Sequence, residues 1–595
     1  MYTELFRKLS KIAWFLPGFL LWAAFPPMGE RMDALFALAP LMWLSRREVS
    51  AWISAKRWFQ SGLFFWVATL YWMPAIVKNG GPWPLVVLGW FALAAYCALY
   101  FGAYGWLSCK FWCWAKGLDL NTEAQRLRGG YGLRLLGVLI VEPVLWCGLE
   151  LVRSRLMGGF AWNQLGVVPV NSGFGAPAAL GGVYLCSAVV ILINGTIAGI
   201  AERVWKPAQS GFANLKRMGS VETLLAFGIV WGVYAVSAAA RTESAPYQDG
   251  NRTIEQSEQS NSRYLKVALV QRNFPCVFKA QEENAVEVYG ELLENVAPLR
   301  PDLVVLPESA MCEFSPVDQQ GAVRFAEWVA KKTGGAALLA GGTRYEEGLT
   351  YNSAALYGAV SNRLPSAEIE IYDKVHLVPF GEFIPGDKIF PALQKLAPVG
   401  SCTPGELKLL PLNLASDQSE RQAPRSSDDA RPGNRTIEQS NNRTILLGCA
   451  ICFEDTDSAL MRELAKKGAE ALFFITNDSW FSHSIEAEQH AWQAVARAIE
   501  TGLPVVRVGN SGVSGTILPD GKATWLIGTD GKPLTDRRGT MFDRLEVKTG
   551  VEGERRTVYV SVGDIPLALA FALLILLMIL VKYKDHYEKR RTLSL

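Results

Sequence analysis

The stretch TILLGCAICFE, residues 444–454, is a short apolar run that ends in the reactive side chain of Cys452. A run of this length, rich in aliphatic residues and closed by a turn, predicts a buried β-strand. Strands are also predicted immediately before Glu308 and Lys374. A thiol, a carboxylate and an amine at strand ends are the reactive groups that a covalent acyl-transfer enzyme uses.

Short apolar runs and amphipathic helical patterns alternate from Tyr264 onward. Strands that alternate with helices predict an α/β layered fold. Active sites in such folds lie at the carboxyl ends of the strands. We therefore expect residues 264–560 to form a catalytic domain, because this region holds all three reactive side chains.

The first 242 residues contain longer apolar segments than the rest of the chain, and they predict an N-terminal membrane domain. The chain is 50% hydrophobic and only 19% charged, against roughly 25% charged residues in a typical soluble domain. Several apolar segments approach the ~20 residues needed to span a bilayer. These segments lie at 12–28, 32–46, 58–77, 84–107, 135–153, 177–201, 220–240 and 564–582. They predict about seven transmembrane helices in residues 1–242 and one at 564–582.

The distribution of basic residues predicts how the chain is oriented. Lys and Arg concentrate in alternate loops and in the C-terminal tail, residues 583–595. Cytoplasmic loops carry this excess. We expect both termini to lie in the cytoplasm and the catalytic domain to lie on the periplasmic side. Glu142, Glu150 and Arg153 fall within a predicted span, where ionisable groups are either functional or paired with each other.

Two polar, turn-rich segments predict surface insertions. Residues 243–263 and 413–443 both contain the heptad NRTIEQS, at 251–257 and 434–440. A solenoid would need contiguous repeats with a buried face. We interpret the first segment as a linker and the second as a loop insertion, both in places that tolerate added residues.

Composition narrows the classes of partner and cofactor. The net charge of +3 does not favour nucleic acid as a partner. The ten Cys and four His show no convincing zinc-ligand spacing, and no cofactor or metal is expected. Cys449 and Cys452 form a C-x-x-C pair, which leaves a redox pair or half of a metal site as an alternative.

The chemistry of the three reactive groups suggests a catalytic role for each. Glu308 would act as the general base and then as the acid. Lys374 would stabilise the oxyanion, together with the backbone N–H of Phe453. Glu382 and Glu454 would orient Lys374 or adjust the proton balance. His376 is the alternative base, which would give a Cys–His dyad.

Four motifs carry a resemblance to a known family. They are KVHLVPFGE at 374–382, CFE at 452–454, NDSWF at 477–481, and the stretch from Glu150 to Trp162. The order Glu308, Lys374, Cys452 resembles the Glu-Lys-Cys triad of the nitrilase superfamily. The motifs, and nearly the whole length of the chain, resemble the membrane-bound branch, the apolipoprotein N-acyltransferases.

This resemblance implies a fold and a reaction. The fold would be an α-β-β-α nitrilase sandwich joined to an eight-helix bundle in the bacterial inner membrane. Cys452 would take the sn-1 acyl chain from a phospholipid, typically phosphatidylethanolamine, and form a thioester. The acyl chain would then pass, in a ping-pong sequence, to the α-amine of an S-diacylglyceryl-cysteine at a lipoprotein N-terminus. Glu382 would be an essential supporting carboxylate. Glu454, Phe453 and Trp480 would support the site or contact substrate. We expect a monomer.

The sequence departs from the family pattern at two places. Phe453 replaces the usual Tyr after the nucleophile, and Ala280 lies where the family often has a Trp beside a Lys. There are two alternative functions, of which only the first uses the same triad. One is a membrane-anchored amidohydrolase with water as acceptor, and the other is a non-catalytic membrane scaffold.

Overall fold

The computed structural model describes residues 14–117, 132–204, 221–242, 262–274, 285–311, 319–358, 369–384, 401–414, 443–548 and 557–593. The chain divides into two compact units. The helical unit is Met1–Ala245 with Thr557–Leu595, and the catalytic unit is Pro246–Arg556. The predicted positions around Ala280 lie outside the described residues.

The helical unit has a helix in each apolar segment named above. The longer helices are Phe15–Ala23, Ala39–Arg47, Ala51–Thr69, Trp83–Gly117, Glu142–Arg153, Ala178–Val204, Val221–Thr242 and Ile565–Leu593. A π-helical turn, Gly137–Val141, leads into the fifth of them. The last helix continues to Leu593, through most of the segment interpreted as a basic tail.

Within the described residues, four helices are long and apolar enough to cross a bilayer. Their apolar spans are Trp83–Lys116, Gly132–Arg153, Ala178–Arg203 and Ile565–Tyr583. A shorter apolar helix covers Thr223–Ala238. The predicted membrane character of this unit therefore rests on several helices whose length and composition suit a lipid environment.

Small residues allow the helices Ala51–Thr69 and Trp83–Gly117 to pack closely. A Cβ on Gly105 would lie 2.3 Å from the ring of Trp58, and one on Gly62 would lie 2.6 Å from the ring of Phe101. Ser54 also donates a hydrogen bond to the Gly105 carbonyl at 2.8 Å. Close backbone approach and a polar cross-link are typical of helix pairs in membranes.

The ionisable residues of the predicted fifth span are paired or hydrogen-bonded. Glu142 forms an ion pair with Arg46 at 2.5 Å, and both side chains are fully buried. Arg46, one of the basic residues between the second and third predicted spans, is therefore not exposed to solvent. Arg153 donates to the carbonyls of Phe160 and Trp162 at 2.7 and 2.9 Å. Glu150 accepts from the N–H of Leu165 at 2.8 Å. Glu150 and Arg153 thus both fix the backbone of the loop that follows them.

The catalytic unit is built on two mixed six-stranded sheets. The first sheet has the order β12-β1-β2-β3-β4-β5 and the second has the order β11-β10-β9-β8-β7-β6. The strands, in chain order, are β1 Ser262–Gln271, β2 Leu303–Val305, β3 Ala337–Glu346, β4 Leu349–Tyr357, β5 Ile369–Asp373, β6 Leu409–Leu414, β7 Arg443–Ile451, β8 Ala471–Thr476, β9 Val505–Gly509, β10 Gly515–Ile517, β11 Ala523–Trp525 and β12 Gly539–Lys548. Strands β1–β2–β3 and β7–β8–β9 are parallel.

Alternation along the strands separates two cores. In β1, Leu265, Val267 and Leu269 join the core between the sheets, while Ala268 and Val270 join a core on the opposite face. The helices Ala285–Val296 and Gln319–Thr333 cover that opposite face. The helices Ser458–Lys466 and Glu486–Thr501 belong to the second half of the unit. The unit is a nitrilase-like sandwich, and the predicted fold class is confirmed.

The last residues of the first predicted insertion and both ends of the second are strand residues. Ser262 and Arg263 pair in β1 with Lys548 and Val547 of β12. Leu414 pairs with Arg443 across β6 and β7, and its side chain is buried. The segment interpreted as an insertion at 413–443 therefore begins and ends inside a hairpin ladder. The residues between these ends, 415–442, lie outside the described ones, as do 243–261.

Candidate active site

Glu308 lies just beyond the end of β2. Strand β3 approaches this segment so closely that a Cβ on Gly341 would lie 2.6 Å from the Cα of Glu308. Glycine is therefore required at this position for the two backbones to meet. The Glu308 side chain is buried, and its Oε1 accepts a hydrogen bond from Nδ2 of Asn352 at 2.7 Å.

Lys374 follows the last residue of β5. Its backbone N–H donates to the carbonyl of Asn352 on β4 at 2.8 Å. Its side chain is only 1% exposed, and Nζ lies 2.9 Å from Oε1 of Glu382 and 4.0 Å from Oε1 of Glu308. The amide of Asn352 also donates to Glu382 at 2.7 Å. One buried ammonium and one amide thus hold two carboxylates in place.

Cys452 follows the last residue of β7 and opens a short 3₁₀ helix, Cys452–Thr456. Its backbone has a φ of +54°, a left-handed conformation that costs a non-glycine residue energy. Strained backbone of this kind clusters at functional sites. The thiol is partly buried and packs against the core between the sheets.

Glu454 connects the Cys452 turn to the Lys374 segment. Its carboxylate accepts hydrogen bonds from the N–H groups of Ile451, Val375 and His376, at 2.8, 2.7 and 3.0 Å. It also accepts from the hydroxyl of Tyr372, at 3.0 and 3.1 Å to its two oxygens. Glu454 thus holds together the backbone that follows Lys374 and the backbone that precedes Cys452. Its role in orienting Lys374 stays a prediction.

Burial and neighbouring charge shift the pKa values of the three central groups. Burial, with the Glu308 carboxylate nearby, raises the pKa of the Cys452 thiol, while Lys374 opposes this. Burial also raises the pKa of Glu308, against the influence of Lys374. Burial disfavours the charge on Lys374, but Glu382 and Glu308 outweigh it and raise the Lys374 pKa. The ammonium therefore stays charged while the thiol rests protonated.

The alternative candidates occupy other positions. The imidazole of His376 is 48% exposed, and its Nδ1 lies 2.7 Å from Oδ2 of Asp457. Cys449 faces the core between the sheets and is fully buried. Cys449 and Cys452 both carry free thiols. Trp480 lies in the 3₁₀ helix Asp478–Phe481 after β8, about a third exposed, and Phe453 follows the thiol in the Cys452 turn.

Sequence reasoning missed Asn352, Tyr372 and a buried group of charged residues. Asn352 carries no motif, and its importance comes from the register that places it beside Lys374. The charged group consists of Asp455, Asp478, Glu486, His490 and Arg507. Asp478 is itself part of the NDSWF motif, and Asp455 directly follows the CFE motif, so the sequence carried a signal for both.

The comparisons with known proteins match this architecture. Residues 17–196 match the family model for the apolipoprotein N-acyltransferase N-terminal domain, and residues 266–538 match the carbon-nitrogen hydrolase model. The chain is therefore a carbon-nitrogen hydrolase domain joined to an acyltransferase-type helical unit. It belongs to the apolipoprotein N-acyltransferase family, as the sequence motifs predicted.

Relatives align over most of their length. The apolipoprotein N-acyltransferase of Geobacter metallireducens is 29% identical over 528 residues, covering 84% of each chain. That of Neisseria meningitidis serogroup B is 26% identical over 536 residues, covering 88% of this chain and 89% of the relative. Among solved structures, an amidase from Nesterenkonia sp. is 16% identical and has a TM-score of 0.31, covering 47% of this chain and 90% of the amidase.

Proposed function

We propose that this chain is an apolipoprotein N-acyltransferase of the bacterial inner membrane. It transfers the sn-1 acyl chain of a phospholipid, by way of a thioester on Cys452, to the α-amine of an S-diacylglyceryl-cysteine at a lipoprotein N-terminus. The observation that carries this proposal is the position of Glu308, Lys374 and Cys452 at the carboxyl ends of three strands. The Lys374 amine lies 4.0 Å from Glu308, and the charges of both groups act on the thiol.

In the first half-reaction, Sγ of Cys452 attacks the ester carbonyl carbon of the phospholipid. Glu308 takes the thiol proton as the carbon–sulfur bond forms. The oxyanion of the tetrahedral intermediate lies near the Lys374 ammonium and the backbone N–H of Phe453. The carbon–oxygen bond then breaks, Glu308 returns the proton to the departing alkoxide, and a lysophospholipid leaves.

In the second half-reaction, the neutral α-amine of the lipoprotein attacks the thioester carbonyl. Glu308 accepts a proton from the attacking nitrogen, and the Cys452 thiolate leaves as the amide bond forms. The thiolate then takes the proton from Glu308, which restores the resting state. Two substrates that use one thiol in turn give ping-pong kinetics.

Glu382 and Glu454 prepare the site for both steps. Glu382 lies 2.9 Å from the Lys374 amine and accepts the N–H of Val378 at 2.7 Å, which fixes the cation in one position. Glu454 ties the backbone that follows Lys374 to the residue before Cys452. Because these contacts fix Lys374 and the backbone beside Cys452, the site needs less reorganisation to reach the transition state.

The basic residues in alternate loops support a cytoplasmic location for both termini and a periplasmic location for the catalytic unit. Phosphatidylethanolamine is the proposed donor, a diacylglyceryl lipoprotein is the proposed acceptor, and the enzyme is proposed to act as a monomer. Both substrates have acyl chains that remain in the bilayer. A membrane-anchored enzyme and its substrates therefore encounter one another by diffusion in the plane of the same membrane.

An acceptor assay tests this function. The purified protein is incubated with phosphatidylethanolamine and a synthetic S-diacylglyceryl-cysteine peptide, beside Cys452→Ala. We expect an amide-linked acyl peptide and a lysophospholipid, both absent with the variant. Free fatty acid without acylated peptide would instead establish the amidohydrolase alternative. The absence of every acyl product would support the scaffold alternative.

A further inference from the structure

A buried imidazole bridges two carboxylates behind the Cys452 turn. His490 lies on the helix Glu486–Thr501, with Nε2 2.9 Å from Oδ1 of Asp455 and Nδ1 2.9 Å from Oδ1 of Asp478. All three side chains are almost completely buried. Asp455 belongs to the 3₁₀ helix that Cys452 opens, and Asp478 follows the neighbouring parallel strand β8.

A second cation completes the arrangement. Arg507 on β9 lies with Nε 3.5 Å from Oδ2 of Asp455 and with Nη2 3.4 Å from Oδ2 of Asp478. It also donates to the carbonyl of Val513 at 2.6 Å. Two carboxylates therefore alternate with two cations, a pattern that compensates buried charges for the loss of water.

Burial and neighbouring charges shift the pKa values within this group. Burial opposes a charge on His490, but Asp455 and Asp478 outweigh burial and raise its pKa to about 10. Burial and the nearby Asp478 raise the pKa of Glu486, whose Oε1 lies 3.6 Å from Nδ1 of His490, well above its usual range. At neutral pH His490 is therefore an imidazolium, and it and Arg507 are both cations beside the aspartates, while the surroundings of Glu486 favour its protonated form.

The group has the donor types of a metal site, and its geometry points elsewhere. Asp478, Glu486 and His490 each place a ligand atom within 4.8 Å of the others. Nδ1 of His490, however, is hydrogen-bonded to Asp478, and Nε2 lies 2.9 Å from Asp455 in an ion pair, whereas a metal ligand must offer one nitrogen without a proton. The Arg507 guanidinium already provides a second cation beside the same two aspartates.

We propose that His490 is a positioning residue that locks the Cys452 turn to the Asn477–Phe481 loop through Asp455 and Asp478. This inference rests on the proposed function, in which Cys452 is the nucleophile. Cys452 has a strained backbone, which persists only where its surroundings hold it. The imidazolium bridge supplies such a hold, and it also fixes the loop that carries Trp480 relative to the thiol.

The same helix supports the far end of the turn. Arg497, two turns further along, donates to the carbonyl of Thr456 at 2.9 Å and forms an ion pair with Glu500 at 2.9 Å. The 3₁₀ helix is therefore held from one helix at two places. Only the His490 contact also reaches Asp478 and the loop after β8.

The bridge has an electrostatic consequence that a purely structural role lacks. The Asp478 carboxylate raises the pKa of the Cys452 thiol, and the His490 imidazolium partly cancels its charge. In His490→Gln the two aspartates lose a cation, so the thiol pKa should rise further. In Asp478→Asn a negative charge is removed, so the thiol pKa should fall.

The test combines thiol titration with single-turnover acylation in the full-length protein. Iodoacetamide alkylation of Cys452 is followed against pH by peptide mass spectrometry, and thioester formation from phosphatidylethanolamine is followed by intact mass. We expect His490→Gln to move the alkylation profile to higher pH and to slow acylation at least tenfold. We expect Asp478→Asn to move the profile to lower pH.

Ile499→Ala is the matched control for lost stability. Ile499 is buried further along the same helix, beyond His490, and its side chain lies near Gly521. It should lower thermal stability and leave the alkylation profile unchanged. A folded His490→Gln with the wild-type profile and acylation rate would overturn the proposal. So would equal shifts in Ile499→Ala, or a shift of the same sign in both charge variants.

Two features keep this test separate from the proposed function. The alkylation titration uses no lipid, so it reports on the bridge even if phosphatidylethanolamine fails to acylate the wild-type protein. If His490→Gln does not fold, Asp478→Asn still decides the proposal. That variant keeps the imidazolium paired with Asp455, and an unchanged or raised thiol pKa in it would contradict the bridge.

Discussion

The amine of Lys374 and the carboxylate of Glu382 form an ion pair at 2.9 Å in which the lysine side chain is almost fully buried. Removing one partner of a buried pair leaves an uncompensated charge, which is costly. The same amine also lies 4.0 Å from Glu308. The cation therefore has a fixed position between the proposed base and its supporting carboxylate.

Lys374→Met should slow thioester formation by about 100-fold or more, the cost typical of losing one oxyanion donor. Methionine keeps most of the side-chain volume and removes the charge. Single-turnover intact mass measures the rate. Lys332→Met is the control, because Lys332 is a partly exposed residue paired with the exposed Glu294 and should leave the rate unchanged. Equal rates for the Lys374 variant and wild type would remove Lys374 from the reaction.

Glu382→Gln should shift the acid limb of the pH–rate profile to lower pH. Burial raises the pKa of Glu308, and the Glu382 charge raises it further. A general base works only when deprotonated, so activity falls as pH drops through this raised pKa. Removing the Glu382 charge lowers the pKa of Glu308. The maximal rate should also fall, since Lys374 loses its closest partner. An acid limb that stays in place or moves to higher pH contradicts this electrostatic coupling.

Glu454→Gln should destabilise the catalytic unit more than Tyr372→Phe. The phenylalanine variant removes one hydrogen-bonded hydroxyl, worth ~1 kcal/mol. The glutamine variant turns one carboxylate oxygen into a donor that faces backbone N–H groups of Ile451, Val375 or His376. Each buried group left unsatisfied costs roughly 1–3 kcal/mol. Chemical denaturation of the two variants in detergent compares them, and equal losses would show that the backbone contacts of Glu454 add nothing.

Residues 415–442 should be dispensable. Leu414 and Arg443 are direct partners across the β6–β7 ladder, so an Asn-Gly turn can join these strands in a two-residue hairpin. We expect the shortened protein to retain acylation within about threefold, because the ladder from Leu409 to Leu414 is kept whole. A control that removes 413–443 also cuts the buried Leu414 and should be less stable. Loss of activity in a folded 415–442 deletion would place part of the site in that segment.

Several parts of the fold could be predicted from sequence because they depend on local pattern. The strands before Glu308 and Cys452 are largely apolar, the strand before Lys374 alternates apolar and acidic residues, and all three residues lie just beyond a strand. Strands β4, β6, β10, β11 and β12 were not predicted. Strand β4 begins with exposed and half-buried residues, and β6 contains a proline and is followed by the polar segment.

The buried charge group shows why other parts of the site could not be predicted from the sequence. Nearly every residue of the helix Glu486–Thr501 is buried, including the charged Glu486, Arg497 and Glu500. Amphipathic patterns predict a solvated face for such a helix. His490, Asp455 and Asp478 lie on different elements, and only the parallel order of β7, β8 and β9 brings them together. Asn352 depends in the same way on strand register.

The most direct test of the central claim is the intact mass of the purified protein after incubation with phosphatidylethanolamine alone, beside Cys452→Ser. The account predicts a mass gain of one acyl chain that is released by hydroxylamine and absent in the variant. A folded wild-type protein with a reactive Cys452 thiol that gains no mass, or a variant that gains the same label, would contradict it.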